Sequence, residues 1–216
     1  MTVKLIWSTP NAEEQIAYMA RVSNPDNQDN PSIAGLISYL IKHKHWSPFE
    51  MANMCVEINT TRDIARQILR HRSFTFQEFS QRYADVSLLG EMVPSECRLQ
   101  DPVNRQNSIP VSYEDSYLEA FWDETQKYIW DQAVLNYKVA LSKGVAKEVA
   151  RKLLPEGLTP SRMYMNGTLR SWLHYFDTRA RMNSGTQREH MRIAQSWHDI
   201  FSNEFPNVNQ SMQWSI

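Results

Sequence analysis

Residues 52–60, ANMCVEINT, place the strongest constraint on the fold of this chain. Side chains alternate along this stretch, with Met54, Val56 and Ile58 on one side and Cys55, Glu57 and Asn59 on the other. An apolar period of two residues is typical of a strand with one buried face. The segment therefore predicts a strand in a sheet whose one side is covered.

Further segments predict short strands and amphipathic helices. Strands are predicted at residues 3–8 and 161–168. Helices are predicted at residues 12–23, 32–45, 61–72, 113–144, 146–154, 169–180 and 186–205, which is the last helix. Because the strands form no βαβ unit, we expect an α+β fold. The expected architecture is a single domain over residues 1–216, with a small antiparallel sheet packed against several helices, including one long helix.

Local signals mark where these elements begin and end. Thr60 and Asp63 predict a capping box at the start of helix 61–72. Gly144 predicts the end of the long helix, and Pro155 predicts the end of the helix after it. Residues 24–31 predict a loop, and residues 90–110, rich in Pro, Asn and charge, predict a long surface excursion.

Composition narrows the class of protein. A chain of 216 residues that is 42% hydrophobic can bury a substantial core, and its formal net charge of -1 argues against a surface that coats nucleic acid. Cys55 and Cys97 are too few for a disulfide framework and are interpreted as inert thiols in a reducing compartment. The N-terminal residues lack a signal-peptide pattern, and no apolar run approaches the roughly 18 residues of a membrane span. We therefore expect a cytoplasmic protein, in the host cytoplasm if the source is viral, with no membrane and no nucleic-acid partner.

Positive charge is nevertheless concentrated at residues 62–72. Arg62, Arg66 and Arg70 recur every four residues, so one face of the predicted helix carries three guanidinium groups. Gln67 lies next to that face. Such forked donors can bind a phosphate group through two hydrogen bonds each.

The following residues, FQEFSQRY at 76–83, add further polar groups. If this stretch is extended, Glu78, Ser80 and Arg82 share one face of a strand. An acceptor, a hydroxyl and a cation within that span suit a nucleotide monophosphate. A local anion pocket is therefore predicted from four side chains, Gln67, Arg70, Ser80 and Arg82.

Plainer interpretations compete with this one. An arginine run is commonly a solvated helix face with surface ion pairs, and a strand serine commonly bonds the backbone. An RNA- or DNA-binding module would also use arginines and aromatic side chains, although the balanced charge counts against it. His43 and His45 could hold a metal ion, but no Cys or carboxylate cluster accompanies them, so we expect no metal site. Four tryptophans at helical spacing are interpreted as packing and not as flavin-stacking groups: Trp122, Trp130, Trp172 and Trp197.

The sequence also resembles a known family. RHR at residues 70–72, followed by Ser80 and then Arg82, is similar to the signature of the flavin-dependent thymidylate synthases. Other similar segments are ARVS at 20–23, KHKHWSPFE at 42–50, ARQ-x-x-RHR at 65–72, KEVAR-x-x-LP at 147–155 and TQREH at 186–190. Together they span most of the chain and leave residues 90–110 and the ends unmatched.

This resemblance implies a homotetramer whose active sites are shared between subunits, with FAD held outside any dinucleotide-binding fold. The sequence agrees in one respect, because it contains neither G-x-G-x-x-G nor G-x-x-x-x-G-K-[ST]. The implied reaction methylates dUMP to dTMP, with 5,10-methylenetetrahydrofolate as the one-carbon donor and NADPH as the reductant of FAD. A non-catalytic nucleotide-binding sensor with the same arginine pocket is the alternative function.

The resemblance also implies residue roles by position. The implied dUMP-binding residues are Gln67, Arg70, Ser80, Gln81, Arg82, Arg151 and Arg179. The implied FAD-binding residues are His45, Ser47, Arg70, His71, Arg72, Glu78, Asn166, Arg170 and His174. Two residues are expected to be catalytic: Arg179 would stabilise negative charge on the uracil ring, and His45 would help position flavin and folate.

Two segments depart from the family pattern. Residues 154–170 differ in length, so either Asn166 or Thr168 takes the flavin-side position of the usual Asn. Residues 180–186, ARMNSGT, are extra, and viral members of the family look similar there. His174 stands where many relatives have an amide.

Overall fold

The computed structural model describes residues 1–182, 185–212 and 214. Within these residues the strands are β1 (Thr2–Ser8), β2 (Asn53–Thr61), β3 (Thr75–Glu78), β4 (Arg98–Gln100), β5 (Ser108–Pro110) and β6 (Pro160–Thr168). The helices are α1 (Ala12–Ala20), α2 (Ala34–Lys42), α3 (Arg62–Ile68), α4 (Tyr117–Ser142), α5 (Lys147–Ala150), α6 (Leu169–Arg179), α7 (Arg188–Glu204) and α8 (Pro206–Met212).

Four strands form one sheet in the order β1-β2-β6-β3. Backbone hydrogen bonds show that β2 and β6 are antiparallel: the N–H of Arg62 donates to Thr159 at 3.0 Å, and that of Leu169 donates to Ala52 at 2.8 Å. The α+β class, the small antiparallel sheet and the long helix α4 are thereby confirmed. The buried face predicted for β2 is also confirmed, because Met54, Val56 and Ile58 are fully buried.

The chain divides into two compact units. Unit 1 comprises Met1, Asn59–Arg70 and Glu78–Met163. Unit 2 comprises Thr2–Ile58, His71–Gln77 and Tyr164–Ile216. The single domain expected over residues 1–216 stays a prediction.

The core of unit 2 is aromatic. Trp172 and Phe176 on α6 and Trp197 and Phe201 on α7 are fully buried, because each pair is one helical turn apart and faces the same way. Trp172 meets Trp197 edge to face at 5.4 Å. These two tryptophans are therefore packing residues, as the sequence predicted.

Phe74 packs against the same core at a point where only glycine fits. A Cβ on Gly167 would lie 2.4 Å from the Phe74 ring. The ring of Phe74 also contacts Trp172 at 4.7 Å. The glycine in β6 thus fixes the aromatic side chain that precedes β3.

Unit 1 contains a smaller core around the long helix. Val86, Tyr137 and Ala150 are buried together, with Leu154 packed against them. Helix α4 ends as predicted, since Gly144 adopts a φ of 84° just after its last turn. Of the other predicted packing residues, Trp130 is buried but Trp122 is 36% exposed.

Several local predictions were wrong. Helix α3 begins after Thr61 with no side-chain cap, so Thr60 and Asp63 form no capping box. The N–H of Arg62 instead continues the pairing with β6, which satisfies the helix start through the sheet. The helix also ends at Ile68, so Arg70 lies outside it and the three-arginine ladder is broken.

Two further boundaries differ from expectation. Residues 186–205 do not hold the last helix, because α8 follows immediately with Pro206 as its first residue. Proline fits that position, since its missing N–H is not needed in the first helical turn. The excursion at residues 90–110 carries an antiparallel ribbon in which Leu99 of β4 pairs with Ile109 of β5.

Candidate functional site

A basic cavity of about 230 Å³ lies within unit 1. Its polar lining comprises Arg62, Arg66, Gln81, Arg151, Lys152 and Glu156. Arg62 and Arg66 come from one face of α3, whereas Arg151 and Lys152 come from the turn that follows α5. Four cations against one carboxylate make this cavity suited to an anion.

The cavity cations are only partly neutralised. Arg66 forms an ion pair with Glu156, and Arg62 lies 3.6 Å from Glu78. Burial lowers the pKa of Arg62; Glu78 opposes this effect, while the charges of Arg66 and Arg151 add to it. Arg66 and Arg151 therefore place like charge near Arg62, although burial is the larger cause of its lowered pKa.

Gln81 supplies a buried side-chain donor to the cavity. Its side chain is only 3% exposed, and within the described residues its Nε2 atom has no hydrogen-bond partner. An unpaired buried amide costs roughly 1–3 kcal/mol. Because Gln81 lines the basic cavity, a ligand oxygen placed there would satisfy this donor.

The other unit 1 residues implied for dUMP lie outside the cavity lining. Residues 79–83 are not extended: β3 stops at Glu78, and the carbonyl of Ser80 accepts from the N–H groups of Tyr83 and Ala84 in a turn. Ser80 is exposed, and Arg82 forms an exposed ion pair with Glu148 at 3.4 Å. The predicted strand face shared by Glu78, Ser80 and Arg82 was therefore wrong.

Three more implied residues are placed as follows. Gln67 is half-buried on α3, and Arg70 is exposed in the turn after that helix. Glu78, implied for FAD, accepts a hydrogen bond from Ser161 at 2.7 Å in addition to its ion pair with Arg62. Within unit 1, Glu78 therefore orients an arginine of the basic cavity.

Unit 2 contains a larger cavity of about 630 Å³, which we call the α6 cavity. Arg170, His174 and Asp177 of α6 line one side, and the remaining walls include Trp46, Glu50 and Met212. The implied FAD residues Arg170 and His174 are thus brought together, since positions four apart on a helix share a face. Asp177 also pairs with Arg181.

Glu50 accepts hydrogen bonds from two side chains at the N-terminus of α6. Its carboxylate accepts from Arg170 at 2.8 Å and from the Thr168 hydroxyl at 2.8 Å. Thr168 is also the N-cap of α6, where its hydroxyl accepts from the N–H of Ser171. Sequence reasoning assigned no role to Glu50, although it ends the KHKHWSPFE segment.

Asn166 has a different environment from Thr168. Its Nδ2 atom donates to Thr75 at 3.3 Å, and its Oδ1 atom is buried without a partner in the part of the chain that the structure describes. Thr168, and not Asn166, shares Glu50 with a residue of the α6 cavity.

The other implied FAD residues of unit 2 are exposed or half-buried. His45 and Ser47 are exposed beside the α6-cavity residue Trp46, and His45 lies edge-on to Tyr39 at 5.8 Å. Arg72 is exposed. Of the extra residues 180–186, positions 183 and 184 lie outside the described residues, and Thr186 donates to the carbonyl of Thr178.

Arg179 belongs to a polar cluster in unit 2, in which Arg179 and His71 are half-buried and Tyr175 and His190 are buried. Its Nε atom donates to Nε2 of His71 at 3.1 Å, so that nitrogen carries no proton. The His71 ring packs edge-on against Tyr175 at 4.8 Å, and Tyr175 bonds His190 at 2.7 Å. Burial raises the pKa of the Tyr175 phenol well above its ordinary value, with the charge of Arg179 opposing, so the phenol stays neutral.

Sequence reasoning missed several of these residues. Lys152 and Glu156 follow the matched KEVAR segment but were given no role. His190 ends the matched TQREH segment but was also given no role, and Tyr175 carries no signal beyond helical spacing. Burial raises the pKa of the Cys55 thiol, in keeping with an inert thiol, and Cys97 is half-buried. Among the residues the structure describes, no group of three or more His, Cys, Asp or Glu could hold a metal ion, and no helix is long and apolar enough to cross a membrane.

The chain thus has an α+β fold with a cavity in unit 1 that is lined chiefly by cations and a larger cavity beside α6 in unit 2. The family model of the thymidylate synthase complementing proteins matches residues 4–207. The chain is 47% identical over 215 residues to a probable flavin-dependent thymidylate synthase of Paramecium bursaria Chlorella virus 1, covering 99% of this chain and 96% of the relative. It is 46% identical over 202 residues to the flavin-dependent thymidylate synthase of a Synechocystis species, covering 94% and 90%.

A solved structure is also similar. The UMP/dUMP methylase PolB from Streptomyces cacaoi, bound with 5-Br dUMP, superposes with a TM-score of 0.83 at 27% identity, covering 97% of this chain and 93% of that one. The chain belongs to the flavin-dependent thymidylate synthase family. The resemblance drawn from the sequence is thereby confirmed.

Proposed function

We propose that this protein is a flavin-dependent thymidylate synthase that converts dUMP to dTMP. FAD is the bound cofactor, NADPH is its reductant, and 5,10-methylenetetrahydrofolate is the one-carbon donor. The active form is a cytoplasmic homotetramer with active sites shared between subunits, and each chain is a single domain. Family membership over nearly the whole chain supports the reaction.

The basic cavity of unit 1 binds the phosphate of dUMP. The observation that carries this assignment is the buried Nε2 donor of Gln81, which lies among the cavity cations and has no hydrogen-bond partner in the described residues. Arg151 supplies a forked donor, and its Nε atom is held by the carbonyl of Glu148 at 3.4 Å. The related methylase was solved with a dUMP analogue, which supports dUMP as the ligand class.

The α6 cavity fits a flavin. Trp46 offers an aromatic surface, Leu173 an apolar one, and Arg170 and His174 offer polar groups for a ring carbonyl or a phosphate. Glu50 and Thr168 hold Arg170 in place at the start of α6. When bound, FAD supplies the hydride that reduces the transferred methylene group to a methyl group.

Thr168 takes the flavin-side position that the sequence left open between Thr168 and Asn166. Thr168 shares the Glu50 carboxylate with Arg170, whereas Asn166 bonds Thr75. Thr168→Val removes that hydrogen bond and is expected to weaken FAD retention more than Asn166→Ala does. Flavin absorbance after dialysis measures the difference, and an equal loss in both variants would contradict the assignment.

Arg179 stabilises negative charge on the uracil ring during the chemical step. The Nε atom of Arg179 donates to His71, which orients the guanidinium group, and its terminal nitrogens would donate to N3 and O2 of uracil. His45 helps to position flavin and folate. The remaining implied residues, Gln67, Arg70, Ser80, Arg82, Ser47, His71, Arg72 and Glu78, complete the two binding sites as the resemblance implies.

The experiment is an anaerobic assay of the purified protein with FAD, NADPH, 5,10-methylenetetrahydrofolate and dUMP. We expect a yellow protein whose absorbance NADPH bleaches, and dTMP as the product. UMP in place of dUMP tests whether the protein discriminates at the 2′ position. A protein that binds dUMP but neither takes up FAD nor forms dTMP would instead be the nucleotide-binding sensor.

A further inference from the structure

A polar pair lies inside the aromatic core of unit 2. Tyr175 on α6 and His190 on α7 are fully buried, and the Tyr175 hydroxyl is hydrogen-bonded to Nε2 of His190 at 2.7 Å. The ring of Tyr175 lies 4.9 Å from that of Trp197 and 5.9 Å from that of Trp172. Neither member of the pair belongs to the dUMP or FAD residues that the resemblance implies.

Stability does not account for this pair. A buried polar group loses its water contacts and regains them only from a partner, and replacing both partners by apolar groups of similar shape can be nearly neutral or even stabilising. The buried face of α7 is otherwise apolar at Ile193, Ala194 and Trp197, which lie three, four and seven residues beyond His190. An apolar residue at position 190 would continue this face, so packing alone does not call for a histidine.

Both rings of the pair contact the imidazole of His71. The His71 ring meets Tyr175 edge to face at 4.8 Å and His190 edge to face at 6.2 Å. The hydrogen bond fixes Tyr175 and His190 relative to each other, and a satisfied polar network of this kind makes a core rigid. The two rings therefore limit the orientations that the His71 ring can adopt.

The orientation of His71 matters because this residue holds Arg179. Nε of Arg179 donates to Nε2 of His71 at 3.1 Å, and the bond forms only while that ring nitrogen points at the donor. Arg179 also lies one helical turn after Tyr175 on α6, and its charge opposes the rise that burial causes in the pKa of the Tyr175 phenol. The polar pair, His71 and Arg179 thus form one connected cluster.

We propose that Tyr175 and His190 are positioning residues for Arg179. They act through the His71 imidazole, which holds the guanidinium group in the orientation required at the uracil ring. Both side chains are fully buried, so their effect reaches the substrate only through these contacts. The inference rests on the proposed function of Arg179 and extends that site into the core between α6 and α7.

Single-turnover kinetics test this series of contacts. Tyr175→Phe keeps the ring but removes the hydrogen bond, and it should slow oxidation of pre-reduced enzyme by dUMP and 5,10-methylenetetrahydrofolate about tenfold at saturating dUMP. Reduction of the flavin by NADPH should not change. In an Arg179→Ala background the same substitution should slow the reaction no further, because the pair acts through Arg179. Equal slowing in both backgrounds would overturn the inference.

Two further variants separate positioning from stability. Tyr175→Phe combined with His190→Leu makes both positions apolar, so the protein should unfold at the same or a higher urea concentration while the chemical step stays slow. Phe201→Leu is the matched control, because it opens the same core on α7 at a residue that packs on Phe176. It should lower the unfolding midpoint without slowing the folded enzyme, and a tenfold slower chemical step in Phe201→Leu would contradict the assignment.

The probe 5-fluoro-dUMP supplies a readout that needs no turnover. A correctly oriented Arg179 should lower the pKa of N3 in the bound probe below that of the free nucleotide, because it stabilises the anionic ring, and fluorine NMR at several pH values measures this change. Tyr175→Phe should return the pKa part of the way to the free value. An unchanged pKa in Tyr175→Phe would overturn the inference. A wild-type protein that lowers the pKa but forms no dTMP would contradict only the proposed function, and one that does not bind the probe would contradict both.

Discussion

The candidate residues of the two units differ in how their polar groups are satisfied. In unit 1, the basic cavity gathers Arg62, Arg66, Arg151 and Lys152, and Nε2 of Gln81 has no hydrogen-bond partner in the described structure. In unit 2, Arg170 is paired with Glu50, and Arg179 is paired with His71. The basic cavity of unit 1 holds more cations than carboxylates, whereas Arg170 and Arg179 of unit 2 each have a protein partner.

This difference indicates which region contributes binding affinity and which contributes alignment of the reacting groups. Unpaired donors gain an interaction when an anion arrives, so the basic cavity should contribute affinity. Arg170 and Arg179 are each held in one orientation by a protein partner, so these unit 2 residues should contribute alignment in the chemical step. Mutations can test this division.

The largest expected effect is that of Arg179→Ala. Removing a donor that stabilises charge in a transition state typically costs about 10²–10³ in rate. We expect the single-turnover oxidation of pre-reduced enzyme by dUMP and 5,10-methylenetetrahydrofolate to slow by that factor at saturating dUMP. Reduction of the flavin by NADPH should survive.

Tyr175→Phe is a milder change in the cluster that contains Arg179. It deletes only the hydroxyl that bonds His190, and Tyr137→Phe in unit 1 is a matched control for a buried phenol. A normal chemical rate in Arg179→Ala, combined with weak dUMP binding, would reverse the division between the two regions.

The second expected effect is that of Arg151→Ala. A hydrogen bond to a charged group contributes about 1.5–3 kcal/mol, so the affinity for dUMP should fall by roughly 10- to 100-fold. Arg105→Ala removes the same charge from an exposed loop and should change the affinity little. Calorimetric titration with dUMP measures both variants, and equal losses would show that only net charge matters.

Gln81→Met should give a third, smaller effect, in which the free energy of unfolding rises and the affinity for dUMP falls. Without ligand, replacing the unpartnered amide should raise the free energy of unfolding by about 1 kcal/mol, because a buried unsatisfied donor is removed. The affinity for dUMP should fall about tenfold, which corresponds to about 1.4 kcal/mol. Urea unfolding measures the stability, and calorimetric titration measures the affinity for dUMP. A loss of stability together with unchanged affinity would mean that Gln81 serves the fold alone.

The fold was predictable where one sequence pattern decided the outcome. The alternation at Met54, Val56 and Ile58 predicted β2, and Gly144 predicted the end of α4. The ends of α3 and β3 were not predictable in this way. Spacing alone extended the α3 helix to residue 72, but the chain turns at Leu69, and β3 stops at Glu78.

The candidate site was predictable in composition but less so in arrangement. The sequence named Gln81 and Arg151, and the structure places both in one cavity. It did not identify Lys152 or Glu50, because cavity lining depends on how separate elements pack. Pairings such as Arg179 with His71 join residues 108 positions apart, and no local period encodes them.

The smallest expected effect concerns Glu13. Like Gln81 it is a buried polar residue, but its carboxylate has hydrogen-bond partners. Glu13 is 6% exposed, and its carboxylate accepts from the side chain of Asn207 at 2.6 Å and from the N–H of Val208 at 2.8 Å. These bonds satisfy the start of α8, the helix that carries Met212 of the α6 cavity. Burial nevertheless raises the pKa of Glu13 above its ordinary value of 4.5, outweighing both hydrogen bonds.

A raised pKa means that the folded protein binds a proton more tightly than the unfolded chain. The stability contributed by protonated Glu13 is therefore fully present below about pH 4.5 and is lost as the pH rises through the folded pKa. Glu13→Gln cannot titrate, so its unfolding free energy should lack this fall between pH 4.5 and neutrality. Urea unfolding followed by tryptophan fluorescence at several pH values measures the difference. Parallel pH profiles for the two proteins would show that the hydrogen bonds from Asn207 and Val208 offset the cost of burying Glu13. Glu13 would then lack the free-energy cost of burial that is assigned to Nε2 of Gln81.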